Sequence, residues 1–213
     1  MISPSNKSQI GHAYNLTAEE YANKFFHEFD HKPFDRMVLK RFVEETKGRG
    51  LVCDLGCGPG EVAAFLHTLG SDVIGVDISD GMISKARELS PDVQFRYEDM
   101  TQLSFKDNEL AGIGAFYSIV HFALEELGQV FQEMYRVLKP QGLLLFSFHI
   151  GSETKHLDEF LGRSVSIDFT FFEPEDILKE LRKTKFIVSD VLIRHPYEEV
   201  EYPSKRCYIF ATK

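Results

Sequence analysis

Apolar residues recur in two rhythms along this chain. Short, nearly unbroken apolar runs at residues 51–55, 72–76, 93–97, 110–117 and 143–148 are strand-sized. Between them, at residues 61–69, 80–89 and 124–138, apolar positions return every third or fourth residue, as on one face of a helix. Gly70 closes the first of these helices, Ser79 is placed to cap the second, and Lys139-Pro140-Gln141-Gly142 ends the third. Strands that are apolar on both faces and alternate with helices predict a parallel sheet covered on both sides.

The two ends follow other rules. Residues 1–16 are polar and read as a loose start. Residues 17–31 read as a helix opened by a capping box, Thr17 with Glu20. Pro33 begins another helix, with Phe34, Met37, Val38, Arg41 and Phe42 on one side, which stops near Gly48-Arg49-Gly50. Beyond Ile150 the alternation breaks. Residues 151–171 read as an insertion with one extra strand over 164–171, followed by a helix from Pro174 to about Lys183. Residues 186–194 and 206–212 are strand-like, and the loop at 195–205 is too short for a helical crossover. This last pair is therefore expected as an antiparallel hairpin on the sheet edge. One domain over residues 1–213 is expected: an N-terminal helical cap at 1–48, a ligand-binding core at 49–150, and at 151–213 an insertion with the C-terminal strands, on the side of the ligand's reaction partner.

Composition narrows the class. At 213 residues, 43% hydrophobic, the chain can bury a core without covalent staples. Its three cysteines include no Cys-x-x-Cys pair, which argues against a disulfide framework or zinc site. No apolar run is long enough to span a bilayer, and Met1-Ile-Ser-Pro-Ser-Asn-Lys-Ser8 lacks the apolar centre of a signal peptide, so a cytoplasmic setting is expected. The net charge of −9 argues against a broad contact with a phosphate backbone. His27 and His31 have a metal-binding spacing but no third ligand in view.

The sharpest local signal is Asp54-Leu55-Gly56-Cys57-Gly58-Pro59-Gly60-Glu61, between the first strand and its helix. Three glycines let backbone turn tightly and approach a ligand, and the helix behind offers unpaired N–H groups. The spacing is Gly-x-Gly-x-Gly, not the dinucleotide Gly-x-Gly-x-x-Gly, and Glu61 stands where that fingerprint wants a small residue. A triphosphate-binding loop is excluded as well. Asp77 lies at the end of the second strand, where a carboxylate accepts from the two hydroxyls of a ribose; capping the next helix is the plainer alternative, and Ser79 suits that better. Glu98-Asp99-Met100 follows the third strand, suited to an exocyclic amine and a ring nitrogen, or to ordinary solvation.

These segments, with Val76-Asp77-Ile78-Ser79 and Tyr135-Arg136-Val137-Leu138-Lys139-Pro140-Gln141-Gly142, resemble in order the motifs of class I S-adenosylmethionine-dependent methyltransferases, in particular the small-molecule group. The resemblance is firm over residues 50–150. It implies an α/β, Rossmann-like, seven-stranded and mostly parallel sheet with a C-terminal antiparallel hairpin and an N-terminal helical cap. It implies S-adenosylmethionine as cofactor. Asp54, Gly56, Cys57, Gly58 and Gly60 would hold its methionine part, Asp77 its ribose, and Asp99 with Met100 its adenine. Ile78 and Met82 would pack on the adenine ring, Phe116 and Tyr117 would join these contacts, and Tyr14 and Tyr21 resemble an aromatic pair that caps the cofactor, or else pack within their helix.

Methyl transfer from a sulfonium needs alignment more than it needs a metal or covalent nucleophile. His121, beyond the fourth strand, is the candidate base or acceptor-positioning group, with a structural histidine as the alternative. His149 at the fifth strand end, an apolar wall of Phe169, Phe171 and Phe172, and the rim segment 197–202 are further acceptor-side candidates. Cys57, at a helix start that lowers a thiol's pKa, reads mainly as a small residue under the cofactor. A small-molecule acceptor is expected. An RNA acceptor, a non-catalytic S-adenosylmethionine-binding protein and a nicotinamide oxidoreductase are the rivals.

Overall fold

The computed structural model describes residues 4–213. In chain order its helices and strands are α1 (Pro4–Phe25), α2 (Pro33–Thr46), β1 (Val52–Leu55), α3 (Glu61–Thr68), β2 (Val73–Asp77), α4 (Asp80–Leu89), β3 (Gln94–Tyr97), β4 (Leu110–Phe116), α5 (Leu127–Val137), β5 (Leu138–His149), β6 (Thr154–Phe160), β7 (Arg163–Thr170), α6 (Pro174–Lys183), β8 (Ile187–Arg194) and β9 (Arg206–Thr212). Single 3-10 turns lie at Glu28–His31, Ile119–His121 and Leu124–Glu126.

Seven strands form one sheet in the order β3-β2-β1-β4-β5-β9-β8. The first five run parallel, and β9 lies antiparallel between β5 and β8, as expected of a hairpin. Strand positions alternate between two cores. Cys53, Leu55, Ile74 and Val76 face the side covered by α5 and α6, whereas Val52 and Val73 face α2, α3 and α4. The strand order reverses beside β1, between β2 and β4, which opens a crevice at the carboxyl ends of these strands.

Four expectations change. Residues 4–16 are not loose: they form the first half of α1, while residues 1–3 lie outside the described residues. Thr17 is not a cap. It is buried mid-helix, and its hydroxyl donates to the Ala13 carbonyl at 3.0 Å. A Ser/Thr-x-x-Glu spacing also occurs inside helices, and the helix ends at Phe25 rather than running to residue 31. β5 begins at Leu138, before the Lys139-Pro140-Gln141-Gly142 stretch, which is absorbed as an irregularity opposite β4 between Leu110 and Gly112. The insertion holds two strands, not one. β6 and β7 pair antiparallel around Leu161 and Gly162, both at positive φ, as a two-residue turn requires.

Candidate functional site

The crevice is narrow, with a cavity volume of about 80 Å³, and is partly open to solvent. Its floor is the loop after β1. Gly56 has φ +73°, and a Cβ there would stand 2.4 Å from the Ser118 Cβ. The loop's third glycine, Gly60, has φ +90° and lies against Phe95 behind the loop. Gly56 and Gly58 therefore line the crevice, while Gly60 shapes the turn from underneath.

The first carboxylate of the motif also works from behind. Asp54 is buried, and its Oδ2 accepts from the Ala63 N–H at 2.9 Å. Gly60 precedes α3 without a capping side chain, so Asp54 supplies from β1 one of the acceptors that the helix start lacks. Burial pushes its carboxyl up to about 8. Cys57 is buried in the core beneath the loop, and burial, with Asp54 and Asp77 nearby, pushes its thiol up rather than down. Of the five loop residues assigned to the cofactor, Asp54, Cys57 and Gly60 thus stand outside the crevice wall.

Asp77 does line it. Its Oδ2 accepts from the Gly58 N–H at 2.9 Å and its Oδ1 from the Ser79 N–H at 2.8 Å. The cap of α4 is Ser79, whose hydroxyl accepts from the Met82 N–H at 3.1 Å. Asp77 therefore ties the glycine loop to the β2 end and leaves lone pairs facing the crevice. Burial raises its carboxyl above the usual range, against three backbone hydrogen bonds that lower it.

Ile78, Met82, Asp99 and Met100 line the next section. Asp99 accepts from Lys7 Nζ at 2.5 Å and from both the backbone and hydroxyl of Thr101 at 2.8 Å. Burial raises its pKa, but Lys7 and Thr101 outweigh it and the net shift is downward. Glu98 braces its own loop through Ser104 instead. Lys7 and Ile10, from the stretch read as loose, complete this wall. Their sequence signal is a helical stripe through Ile10, Tyr14, Thr17 and Tyr21, hidden by the polar residues around it.

The far section is aromatic. Tyr14 and Tyr21 meet edge to face at 5.9 Å, and Phe160 of the hairpin packs on both. His121 Nδ1 lies 2.8 Å from the Asp168 carbonyl, and its Nε2 lies 2.8 Å from the Tyr14 hydroxyl. A carbonyl only accepts, so Nδ1 carries the hydrogen. Burial lowers the pKa to about 4 despite the Asp168 carbonyl, so the neutral ring accepts the Tyr14 O–H at Nε2. His121 thereby joins α1 to the β6–β7 hairpin.

Phe116 and Tyr117 also line the crevice. Tyr117 sits at φ +52°, a conformation that costs a non-glycine residue about 1–2 kcal/mol. Its hydroxyl lies 3.2 Å from that of Tyr208, which donates to Asp35 at 2.7 Å. Asp35 also accepts from Arg194, which holds Glu201 through both oxygens, and Glu201 faces Lys32 at 3.4 Å. This buried network fixes the strained tyrosine from behind. It also places the rim candidates: Tyr197 and Glu201 are structural, and Tyr202 packs on Phe171.

His149 does not face the crevice. Its ring lies between Tyr117 and Phe171, with Nδ1 2.8 Å from the Ser204 hydroxyl. Burial, then the charge of Arg206, lowers it to about 3. The three phenylalanines do not form one wall: Phe169 meets His121, Phe171 meets His149, and Phe172 is in the core. Among the described residues no group of three His, Cys, Asp or Glu is arranged to hold a metal, His27 and His31 included.

Two buried polar atoms beside the glycine loop have no partner among the described residues: Ser118 Oγ and Glu61 Oε2. The sequence reading used Glu61 only to argue against a diphosphate. Uncoated backbone, two carboxylates at successive strand ends, an apolar slot and unmatched polar atoms fit an uncharged ribose, an adenine ring and a zwitterionic amino-acid tail, and fit a diphosphate poorly.

Residues 52–142 match the family described as methyltransferase domain. A protein named as a methyltransferase in Geobacillus sp. (strain WCH70) is 31% identical over 153 residues, covering 67% of this chain and 61% of that one. A demethylmenaquinone methyltransferase of Bacteroides fragilis is 39% identical over 102 residues, covering 44% of this chain and 41% of its own. Among solved structures, magnesium protoporphyrin IX methyltransferase from Synechocystis PCC 6803, with bound S-adenosylmethionine, superposes with a TM-score of 0.75 at 19% identity, covering 100% of this chain and 99% of that one. That likeness is one of fold. The chain spans about half the length of the named sequence relatives it matches.

Proposed function

Because this chain belongs to the class I S-adenosylmethionine-dependent methyltransferases, we propose that it moves the sulfonium methyl of that cofactor to a small-molecule acceptor by in-line displacement. The observation that carries the choice of acceptor is the enclosure of the crevice. α1 and the β6–β7 hairpin meet over it through Tyr14, His121 and the Asp168 carbonyl. A small acceptor needs α1 and the hairpin only to part and close again over it, whereas a folded RNA would have to keep both elements displaced.

The cofactor supplies an already activated methyl group when bound. Gly56 and Gly58 allow close backbone approach at its amino-acid end, Asp77 accepts from its ribose, and Asp99 accepts from the adenine amine. Ile78, Met82 and Met100 provide the apolar slot for the ring. Tyr14, Tyr21 and Tyr117 exclude water and align the acceptor, an ordering worth about 7–11 kcal/mol in favourable reactions. His121, with both nitrogens engaged and a depressed pKa, orients the Tyr14 hydroxyl rather than storing a proton.

Titration calorimetry with S-adenosylhomocysteine, then incubation of the protein with methyl-labelled cofactor and a fractionated metabolite extract, tests the reading. Binding followed by label in a small-molecule fraction is expected. Label in RNA, or binding with no transfer to any fraction, overturns the proposed acceptor class.

A further inference from the structure

Glu61 is the first residue of α3, and its side chain folds back over the glycine loop. Its Oε2 stands 3.9 Å from where a Cβ of Gly58 would be, next to the Tyr21 ring at 3.8 Å from the same point. Gly58 and Tyr21 both line the crevice, so this oxygen lies directly behind the part of the wall that they form, where Gly58 offers no side chain to cover it. It is buried and has no hydrogen-bond partner among the described residues.

The surrounding charges are mostly of the same sign. Glu28 beside α2, Asp54 on β1 and Asp77 at the end of β2 all lie around this loop. Among the described residues the cation that faces Glu61 is Lys32, and its ammonium is already shared between Glu28 at 2.7 Å and Glu201 at 3.4 Å. Leaving a buried acceptor unmatched is destabilising, the more so if it is charged. Burial, with Glu28 and Asp54 nearby, holds the Glu61 carboxyl well above its ordinary pKa, so a cationic donor brought by a ligand would stabilise its charged form. Asp54, the other acid of the loop motif, is committed to the Ala63 N–H and faces away.

Resting on the function proposed above, we infer that Glu61 receives the α-ammonium group of the cofactor's amino-acid tail, making it a cofactor-binding residue of this chain. The α3 start, whose N–H groups favour an anion, is then left to the neighbouring carboxylate of the same zwitterion.

The test uses S-adenosylhomocysteine, its decarboxylated form, which keeps the amine on a propyl chain, and 5′-methylthioadenosine, which lacks the tail. Calorimetry should show the wild-type protein binding the decarboxylated compound at least tenfold more tightly than methylthioadenosine. Glu61→Gln should weaken both amine-bearing ligands at least tenfold and leave methylthioadenosine within twofold, which also reports that the crevice is intact. An equal loss for all three ligands, or no loss for any, overturns the assignment. So does a wild-type preference for methylthioadenosine, a result that stands even if the variant does not fold. If the wild-type protein binds none of the three, the cofactor reading itself fails, which separates the two conclusions.

Discussion

The crevice has two halves built on different principles. The half at the ends of β1, β2 and β3 is made of backbone and carboxylates on rigid elements: the glycine loop, Asp77 and Asp99 sit within a few residues of buried strands. The half beyond β4 is made of aromatic rings brought from α1, the β4 end and the β6–β7 hairpin, and is joined by one histidine. The first half is stiff because each carboxylate is tied to nearby backbone. The second is held by contacts between residues more than a hundred positions apart, such as Tyr14 and His121. Such a division suits an enzyme that keeps a constant cofactor grip and opens on the acceptor side.

The largest effect is expected from breaking the stiff half. Gly56→Val puts a branched side chain at φ +73° and into Ser118, so circular dichroism and calorimetry should show loss of cofactor binding with stability reduced by about 1–3 kcal/mol. Unimpaired binding would show that the loop is not the floor. Asp77→Ala should weaken S-adenosylhomocysteine at least tenfold, about 1.4 kcal/mol; unchanged affinity removes the ribose assignment.

The aromatic half should reveal itself through pH. His121 and His149 have folded pKa values depressed to about 4 and about 3, below the ordinary 6.5. Below pH 6.5 the unfolded chain binds protons that the folded chain refuses, so stability falls as pH drops from 6.5 towards 4. Thermal melts should follow that slope, and His121→Gln should flatten it; a slope unchanged by the variant would contradict the burial of this ring. Tyr14→Phe removes the donor to His121 Nε2 and should cost about 1 kcal/mol of stability. Hydrogen exchange should rise in α1 but not in α4, and equal change in both would contradict a clasp local to α1 and the hairpin.

The smallest effect belongs to Lys7→Met, because its ion pair with Asp99 is partly solvated and is worth about 0.5 kcal/mol. Asp99 is held below its ordinary pKa, so this contribution is present above about pH 4 and fades as pH falls through the folded value. A loss much larger than this in adenosine binding would place Lys7 in direct contact with the ligand.

The uneven legibility of the two halves has a physical origin. A strand that is apolar on both faces, a loop that must adopt positive φ, and a serine that caps a helix act over a few residues, so Val52–Gly60, Asp77–Ser79 and the closing β8–β9 hairpin announce themselves locally. Local chemistry also explains the errors: Thr17 with Glu20 satisfies a cap pattern that the buried environment of α1 overrides. Which side of a loop a residue faces is not local. Asp54 and Cys57 belong to the motif yet turn into the core, and His149 ends behind Tyr117, because the packing of α3, β2 and the 195–205 loop selects the face. The order of elements and the position of the crevice were thus written in the periodicity and in three glycines. The joining of Tyr14 to His121, the orphaned oxygen of Glu61 and the strained Tyr117 arose from long-range packing, since a hydrogen bond between distant residues leaves no period or spacing in a linear chain.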